Sequence, residues 1–447
     1  TPGGLTLAQF NENPKQARPA GGPNRGAVEQ QAAVENRTPY VGVNFDHEWS
    51  EHVSTRVGVL GSRSDFENPA IRNYEQRAET NIGARTETTY RFGKEQVKGK
   101  LTGGAEFQNF KSSIDVYGNN FGVRDTAQTK DKLTSQLMLA FLQAELDLPL
   151  NFFLTLGGSF NFSEYTFQRT YPSLVDESRK LDPAFSPRLA LLNKVTPGIS
   201  IYTSISRGFS PPSIAELYPS RGIFDKTIQA EQGINLEVGI RGEGPKNSVS
   251  FDITGYYFRL KDALVIRRDT PDEGEYFVNA GETLQRGMEA SVTSHPVRNK
   301  STFVSDLNIW NSFAYQHYRF EEYVQDENDY SGNKLTGVSP IINTTGLDIV
   351  FRKKLYLNIT GNYVDHTPLD DANTVFASKY LLLGARAGYK RNLSSTYSLE
   401  VFAGVDNALD KKYSLGNDLN AAANRFYNPA AGINFYGGVR LAILSKP

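Results

Sequence analysis

One segment of the chain, residues 77–92 (RAETNIGARTETTYRF), has two chemically different faces. Small and apolar residues occupy every second position, and the positions between them carry the charges of Arg77, Glu79, Arg85, Glu87 and Arg91. Side chains on a β-strand point alternately to its two sides, so this pattern predicts a two-faced strand. Its length is about twice that of a typical strand in a globular protein.

The same alternation recurs along the whole chain and predicts about 17 strands. We expect them near 38–48, 53–64, 77–92, 96–110, 133–148, 152–169, 184–194, 198–207, 233–241, 248–259, 283–294, 303–320, 342–352, 354–366, 379–389, 397–406 and 433–443. Short connections alternate with long ones, the latter near 65–76, 111–132, 170–183, 208–232, 260–282, 321–341, 367–378 and 407–432. Short turns at one end and long loops at the other are typical of an outer-membrane barrel, with the short turns in the periplasm.

Composition narrows the class of protein. The chain has 447 residues, no cysteine and a net charge of −1, which excludes disulfides and gives no electrostatic basis for nucleic-acid binding. The sequence contains no run of about 18 apolar residues, so it predicts no transmembrane helix. This does not exclude a membrane protein, because the alternating strands of a barrel give no hydropathy peak. A water-soluble propeller would show a repeat of about 40 to 50 residues, and none is evident. We therefore predict an all-β, antiparallel transmembrane β-barrel whose charged face, including Arg77 and Glu79, lines a wet lumen.

Two stretches resemble a known family. The segment SISRGFSPPSIAELYP, residues 204–219, is similar to a motif of TonB-dependent outer-membrane receptors through Gly208, Phe209, Pro211, Pro212, Glu216 and Leu217. Residues 405–443 resemble the C-terminal region of that family through Asn407, Leu409, Asp410, Lys412, Tyr413, Tyr436, Gly438, Leu441 and Ile443. The resemblance covers the whole chain, although the chain departs from it by ending in Ser-Lys-Pro rather than in an aromatic residue.

The resemblance implies a 22-stranded barrel filled by an N-terminal plug, of which this chain would hold about 17 strands and no plug. Residues 1–26 would be an extracellular loop and residues 27–447 one barrel domain. The beginning of the chain resembles the corresponding loop of ferric-citrate and related siderophore receptors.

The function that the resemblance implies is uptake of a ferric chelate, either a siderophore or ferric dicitrate, across the outer membrane of a Gram-negative bacterium. The TonB–ExbB–ExbD complex would supply energy through the plug. Outer-membrane lipid and lipopolysaccharide would surround a monomer. Receptors for a cobalamin or an oligosaccharide, and a passive porin-like channel, are the alternatives.

A bulky anionic chelate calls for permanent cations, hydrogen-bond donors and aromatic surfaces in the long loops. The candidate cations are Arg63, Arg169, Arg179, Arg207, Arg221, Arg268 and Arg425, and the candidate aromatics are Tyr165, Tyr171, Tyr218, Phe224, Tyr276 and Phe426. The competing interpretation of each arginine is an ion pair with a lumenal carboxylate such as Glu79 or Glu237. Arg207 lies in the family motif and is expected to be structural.

Neither a resident metal nor a catalytic site is predicted. The two histidines of HEWSEH, His47 and His52, fall at the expected periplasmic rim, and the acidic stretch 321–330 lacks the spacing of a calcium loop. Neither G-x-S-x-G nor H-E-x-x-H occurs. We expect a non-enzyme without a cofactor, in which iron is present only as part of the transported chelate.

Overall fold

One antiparallel sheet dominates the computed structural model, which describes residues 4–22, 24–94, 97–219, 221–267, 274–325, 327–352 and 354–443. Nineteen strand segments form this sheet, and two pairs of segments are halves of single interrupted strands, which leaves 17 strands. The strands are β1 (Glu35–Arg37 and Tyr40–Glu48), β2 (Val53–Pro69), β3 (Asn73–Lys94), β4 (Val97–Asn120), β5 (Val123–Leu148), β6 (Phe152–Tyr171), β7 (Val175–Lys180 and Ala184–Thr196), β8 (Ile199–Ser210), β9 (Glu231–Glu243), β10 (Val249–Lys261), β11 (Glu282–Arg298), β12 (Val304–Glu322), β13 (Ile341–Phe351), β14 (Leu355–Val364), β15 (Tyr380–Asn392), β16 (Tyr397–Asp406) and β17 (Asn434–Ile443).

Every strand pairs with the next one along the chain, so the predicted number and order of strands are confirmed. Within the described ranges, β1 and β17 each pair on one side only and form the two edges of the sheet. The pairing of these edges with further strands of a 22-stranded barrel stays a prediction.

The two faces of the sheet have the polarity that the alternation predicts. Ile82 on β3 is 55% exposed and Val238 on β9 is 62% exposed, although both are large and apolar. On the opposite face of β3, the Arg85 guanidinium lies 3.3 Å from Glu87 and 3.2 Å from Glu106 of β4. We call these the apolar face and the polar face; a bilayer on the first and water on the second satisfy both.

Aromatic rings on the polar face lie over glycines of the neighbouring strand. A Cβ atom added to Gly346 of β13 would come within 2.0 Å of the Trp310 ring of β12, and one added to Gly104 of β4 would come within 2.7 Å of Phe141. The indole nitrogen of Trp310 donates a hydrogen bond of 3.1 Å to Asp348, which fixes the ring in this position. Such pairs fill the space that a strand glycine leaves open and favour one register.

The short-turn end agrees with the prediction, whereas three of the predicted long loops are wrong. Residues 65–76, 111–132 and 170–183 are mostly strand. The turns between these strands are short and lie at 70–72 (β2 to β3), 121–122 (β4 to β5) and 172–174 (β6 to β7). Above the level of a membrane both faces of a hairpin contact water, so the apolar alternation that marks a strand disappears there. β5 is 26 residues long, more than twice the 9–11 residues, roughly, that span a bilayer.

The remaining connections at this end are long and contain small elements. We call residues 211–230, 262–281, 323–340, 365–379 and 407–433 the long loops. They contain the short helix Ile214–Leu217 and four two-stranded ribbons: Leu264–Arg267 with Tyr276–Asn279, Val324–Gln325 with Asn328–Asp329, Thr367–Pro368 with Phe376–Ala377, and Ser414–Asn417 with Tyr427–Pro429. Single 3₁₀ turns occur at Pro149–Asn151, Pro245–Asn247 and Ala422–Asn424.

Residues 4–34 precede β1 and lie against two distant parts of this end; we call them the strap. The strap contains the helix Leu7–Glu12, which Thr6 caps, and Leu5 forms a β-bridge with Tyr427. Further along, the Gln30 amide donates hydrogen bonds to the carbonyls of Ile71 (2.7 Å) and Asn119 (3.0 Å). The strap therefore connects the loop before β17 to the hairpin tips of β2–β5.

Candidate functional site

A cavity of about 920 Å³ opens on the polar face where β12–β15 enter the long loops. Its wall is formed by inward-facing residues of these strands, such as Tyr318 and Tyr380, and by the loop residues 411–417 and 419. Leu7 and Phe10 of the strap close one side. We call this cavity the chamber, and its volume is in the range of a small-molecule site.

The chamber combines aromatic rings with cations. The rings of Tyr380 and Tyr413 are in contact, with centroids 4.9 Å apart and planes inclined by 43°. Lys411 and Lys412 line the same cavity, and the Lys412 ammonium donates a hydrogen bond of 3.2 Å to the Asn11 carbonyl of the strap. Phenol groups and ammonium groups can bind a polar, anionic guest through hydrogen bonds, charge and ring contacts.

One buried carboxylate, Asp371, holds together the loops beside the chamber. It accepts hydrogen bonds from Arg267 and Thr336, and from the Asn420 amide at 3.2 Å. Tyr323 donates to it at 3.4 Å. These five residues come from four different long loops, so a single side chain fixes the position of all four.

A second buried carboxylate, Asp131 of β5, anchors the first long loop. Arg169 of β6 donates two hydrogen bonds to it, at 2.8 and 2.9 Å, and the Tyr218 hydroxyl also donates to it. Burial raises the pKa of Tyr218 above its usual value, and the bond to Asp131 adds to the effect. The phenol therefore stays a hydrogen-bond donor throughout the physiological range.

The family motif contributes to the same anchor. Leu217 has no exposed surface and packs with Phe167 and Phe224 in a buried cluster. The Pro212 carbonyl accepts a hydrogen bond of 2.7 Å from Tyr165, and the Glu216 carboxylate accepts one of 2.6 Å from the Ser213 N–H in a capping box. Within the described ranges the motif thus folds a loop onto the polar face.

The remaining motif residues also have structural positions. Gly208 and Phe209 lie in β8, Pro211 follows it, and Gly438 lies in β17 with the Phe402 ring 2.7 Å from where a Cβ atom would be. Asn407 is buried in a left-handed conformation, and its amide donates to the carbonyls of Lys411 (2.9 Å) and Ala431 (3.2 Å). Of the motif residues, Lys412 and Tyr413 line the chamber.

The predicted cations are dispersed. Arg63 is on the apolar face of β2, in register with Thr80 of β3, and lies 3.4 Å from Asp65. Arg207 is also on the apolar face and hydrogen-bonds Gln232 at 2.5 Å. Arg179 is half-buried in β7 opposite Tyr165, and its Nη1 atom is buried without a hydrogen-bond partner among the described residues. Arg268 lies outside the described residues.

Two of the predicted cations contact other residues of the long-loop end. The Arg221 guanidinium lies over the Tyr276 ring, 4.9 Å from its centroid. Arg425 donates a hydrogen bond of 3.2 Å to Gln9 of the strap, and the adjacent Phe426 is 4% exposed. Phe224 is 7% exposed, whereas Tyr171 is 42% exposed at the end of β6. The buried aromatics pack the loops together and do not offer an open platform in this conformation.

Sequence reasoning missed Asp131, Asp371, Lys411 and Tyr380. A buried carboxylate has no sequence signature, because its partners are distant along the chain: Arg267 and Asp371 are 104 residues apart. Tyr380 could have been found, since it lies at a predicted strand end beside a long loop.

The fold and the polarity of its faces define the class of protein: a transmembrane antiparallel β-barrel with long loops at one end. None of the described helices could cross a membrane. The family model "TonB dependent receptor-like, beta-barrel" matches residues 2–408, and the chain belongs to this family.

Solved structures share the fold. The unliganded ferric citrate transporter FecA superposes with a TM-score of 0.78 at 15% identity, over 99% of this chain and 65% of that one. The ferric yersiniabactin uptake receptor FyuA from Yersinia pestis superposes with a TM-score of 0.74 at 15% identity, over 99% of this chain and 66% of that one. The copper transporter OprC superposes with a TM-score of 0.73 at 15% identity, over 94% of this chain and 67% of that one. The chain thus spans just under two thirds of the length of FecA.

Proposed function

We propose that this chain is the barrel portion of an active transporter that takes up a ferric chelate across the outer membrane of a Gram-negative bacterium. The observation that carries the proposal is the chamber, where two adjoining phenols and two lysines lie on the polar face at the base of the long loops. A ferric siderophore or ferric dicitrate has the size, the anionic charge and the hydrogen-bond acceptors that such a lining binds.

Energy for release would come from the TonB–ExbB–ExbD complex, acting through a plug domain, and the receptor would work as a monomer. Capture by the loops precedes this step, because the chamber lies at their base. The hydrogen bonds of Asp371 join four loops, so a movement of one loop during capture or release would shift the other three.

The first test is calorimetric titration of ferric dicitrate into the full-length receptor in detergent, with iron-free citrate as control. Saturable binding of the iron complex alone supports the proposal and identifies the cargo class. Lys411→Gln combined with Tyr413→Phe should then weaken binding about tenfold or more, because a charge-assisted hydrogen bond contributes about 1.5–3 kcal/mol. Lys15→Gln, at an exposed position of the strap, is the matched control.

Absence of binding by a folded, heat-modifiable barrel would reject ferric dicitrate and direct the titration to other ferric siderophores. Binding of a cobalamin or an oligosaccharide would replace the ferric-chelate proposal. Binding of a copper salt would replace it too, and is worth testing because the copper transporter OprC shares the fold. Ion conductance without saturable binding would favour the porin alternative.

A further inference from the structure

An apolar row interrupts the polar face of the sheet at the level of the chamber. Ile342 of β13, Val364 of β14 and Tyr380 of β15 lie side by side in register, and all three line the chamber. Deeper on the same face, β13 and β14 carry Thr344 and Asn362, which are also in register with each other. We call Ile342, Val364 and Tyr380 the apolar row.

The apolar row is open to the chamber and is not part of a protein core. Ile342 and Val364 are half-buried, and neither belongs to a buried hydrophobic cluster of the described residues. Leu7 of the strap and Leu415 of the last long loop line the same cavity and are 51% and 77% exposed. Apolar side chains gain free energy when a ligand removes them from water, so the chamber favours a guest with an apolar part.

The charge of the chamber is small by comparison. Among the described residues, Lys411 and Lys412 are the cations that line it, and neither an arginine nor a carboxylate does. The Lys412 ammonium already donates a hydrogen bond of 3.2 Å to the Asn11 carbonyl. A wholly polar chelate such as ferric dicitrate would use the lysines but would leave the apolar row and Leu7 in contact with water.

We infer that the cargo is a ferric chelate with an aromatic arm, of the catecholate or phenolate type, and that the apolar row selects it. A flat ring can lie against the branched side chains of Ile342 and Val364. It can also contact the Tyr380 ring, which meets the Tyr413 ring at an inclination of 43°. The negative charge of the iron-binding oxygens would face Lys411. The inference rests on the proposed function and narrows its substrate class.

The experiment measures, by calorimetry, the affinity of the full-length receptor in detergent for two anionic probes. The ferric complex of dihydroxybenzoylserine has catechol rings, and ferric dicitrate has no ring. The variant Ile342→Thr/Val364→Thr keeps β-branched side chains on both strands but makes the apolar row more polar. Val350→Thr is the matched control, because Val350 is 40% exposed on the same face of β13, roughly 26 Å away at the short-turn end.

The unsubstituted receptor should bind the catechol chelate more tightly than ferric dicitrate. The double variant should bind the catechol chelate about tenfold more weakly or worse, because each methylene group withdrawn from an apolar contact changes affinity by about fourfold. Its affinity for ferric dicitrate should stay the same, which also shows that it is folded. Leu7→Ser, which lies outside the sheet, should give a smaller loss of the same selectivity. Val350→Thr should change neither affinity.

Tighter binding of ferric dicitrate than of the catechol chelate would overturn the inference and leave the proposed function standing. An equal loss for both probes in the double variant, or no loss, would also overturn it, since the apolar row would then not select an aromatic arm. Binding of neither probe by the folded receptor would overturn it too, and the proposed function would then depend on other ferric siderophores.

Discussion

Replacing Asp371 with asparagine should release four long loops at once. The substitution keeps the size of the side chain but removes the charge that faces Arg267, whose side chain is only 6% exposed. Removal of one partner of a buried ion pair costs about 3–5 kcal/mol, because the other charge stays buried without compensation. The 17-stranded sheet does not depend on this contact, so the cost should appear as local opening of the loops.

Hydrogen exchange followed by mass spectrometry measures that opening. Amide protection in 323–340, 365–379 and 407–433 should fall by about two to three and a half orders of magnitude, which corresponds to the same energy. Protection in β12–β16 should not change. Asp329→Asn is the control, since its carboxylate lies in a neighbouring loop, is exposed and accepts only from Ser331 among the described residues.

Two results would refute the reasoning. If Asp371→Asn loosens only 365–379, the carboxylate does not couple the loops. If Arg267→Met/Asp371→Asn loosens the loops as much as Asp371→Asn alone does, the orphaned charge is not responsible. The double variant removes that charge and keeps a side-chain oxygen that can accept from Thr336 and Asn420.

Three further predictions concern packing and orientation. Gly346→Ala should lower the stability of the barrel in thermal unfolding by about 1–3 kcal/mol, because the added Cβ atom would collide with the fixed Trp310 ring. Gly361→Ala is the control and should be neutral, since no atom lies within 4 Å of its added Cβ atom; equal effects of the two variants would contradict the prediction. Leu217→Ala should lower the free energy needed to open the first long loop by about 2–5 kcal/mol, so that proteases cleave within 211–230. Leu415→Ala, at a residue that is 77% exposed, is the control and should not increase cleavage; equal cleavage of the two variants would argue against the buried cluster. A cysteine at Ile82 should be shielded from a water-soluble maleimide in a bilayer and one at Glu79 should react, and the reverse pattern would invert the faces.

The sheet could be predicted well from the sequence, because the alternation of apolar and polar residues within each strand reflects the different surroundings of its two faces. Lipid on one side and water on the other produce the alternation at Ile82 and Glu79, and it persists through all 17 strands. The prediction failed where that difference vanishes. At Ser112–Ser113 and Thr126–Thr129 both faces are largely polar, so strand and loop look alike, although β4 and β5 continue through them.

The site was predicted less well, since it depends on contacts between loops. Phe224 and Phe426 were expected to meet a ligand; both are buried among loop residues, and their contact with a ligand stays a prediction. Loop arginines were candidates because of their charge alone, whereas Arg169 is neutralised by Asp131, 38 residues away. Such a pairing cannot be inferred from one sequence, because any of many carboxylates could serve.

The strap imposes an order on assembly. The Arg425 bond to Gln9 joins residues 416 positions apart, so the entropy cost of closing this contact is smallest once the strands between them have paired. Until then, the strap can rest on the hairpin tips through Gln30 while its other end is free. A molecule in which the strap has docked on residues 425–427 has therefore already placed β1 and β17 within reach of each other.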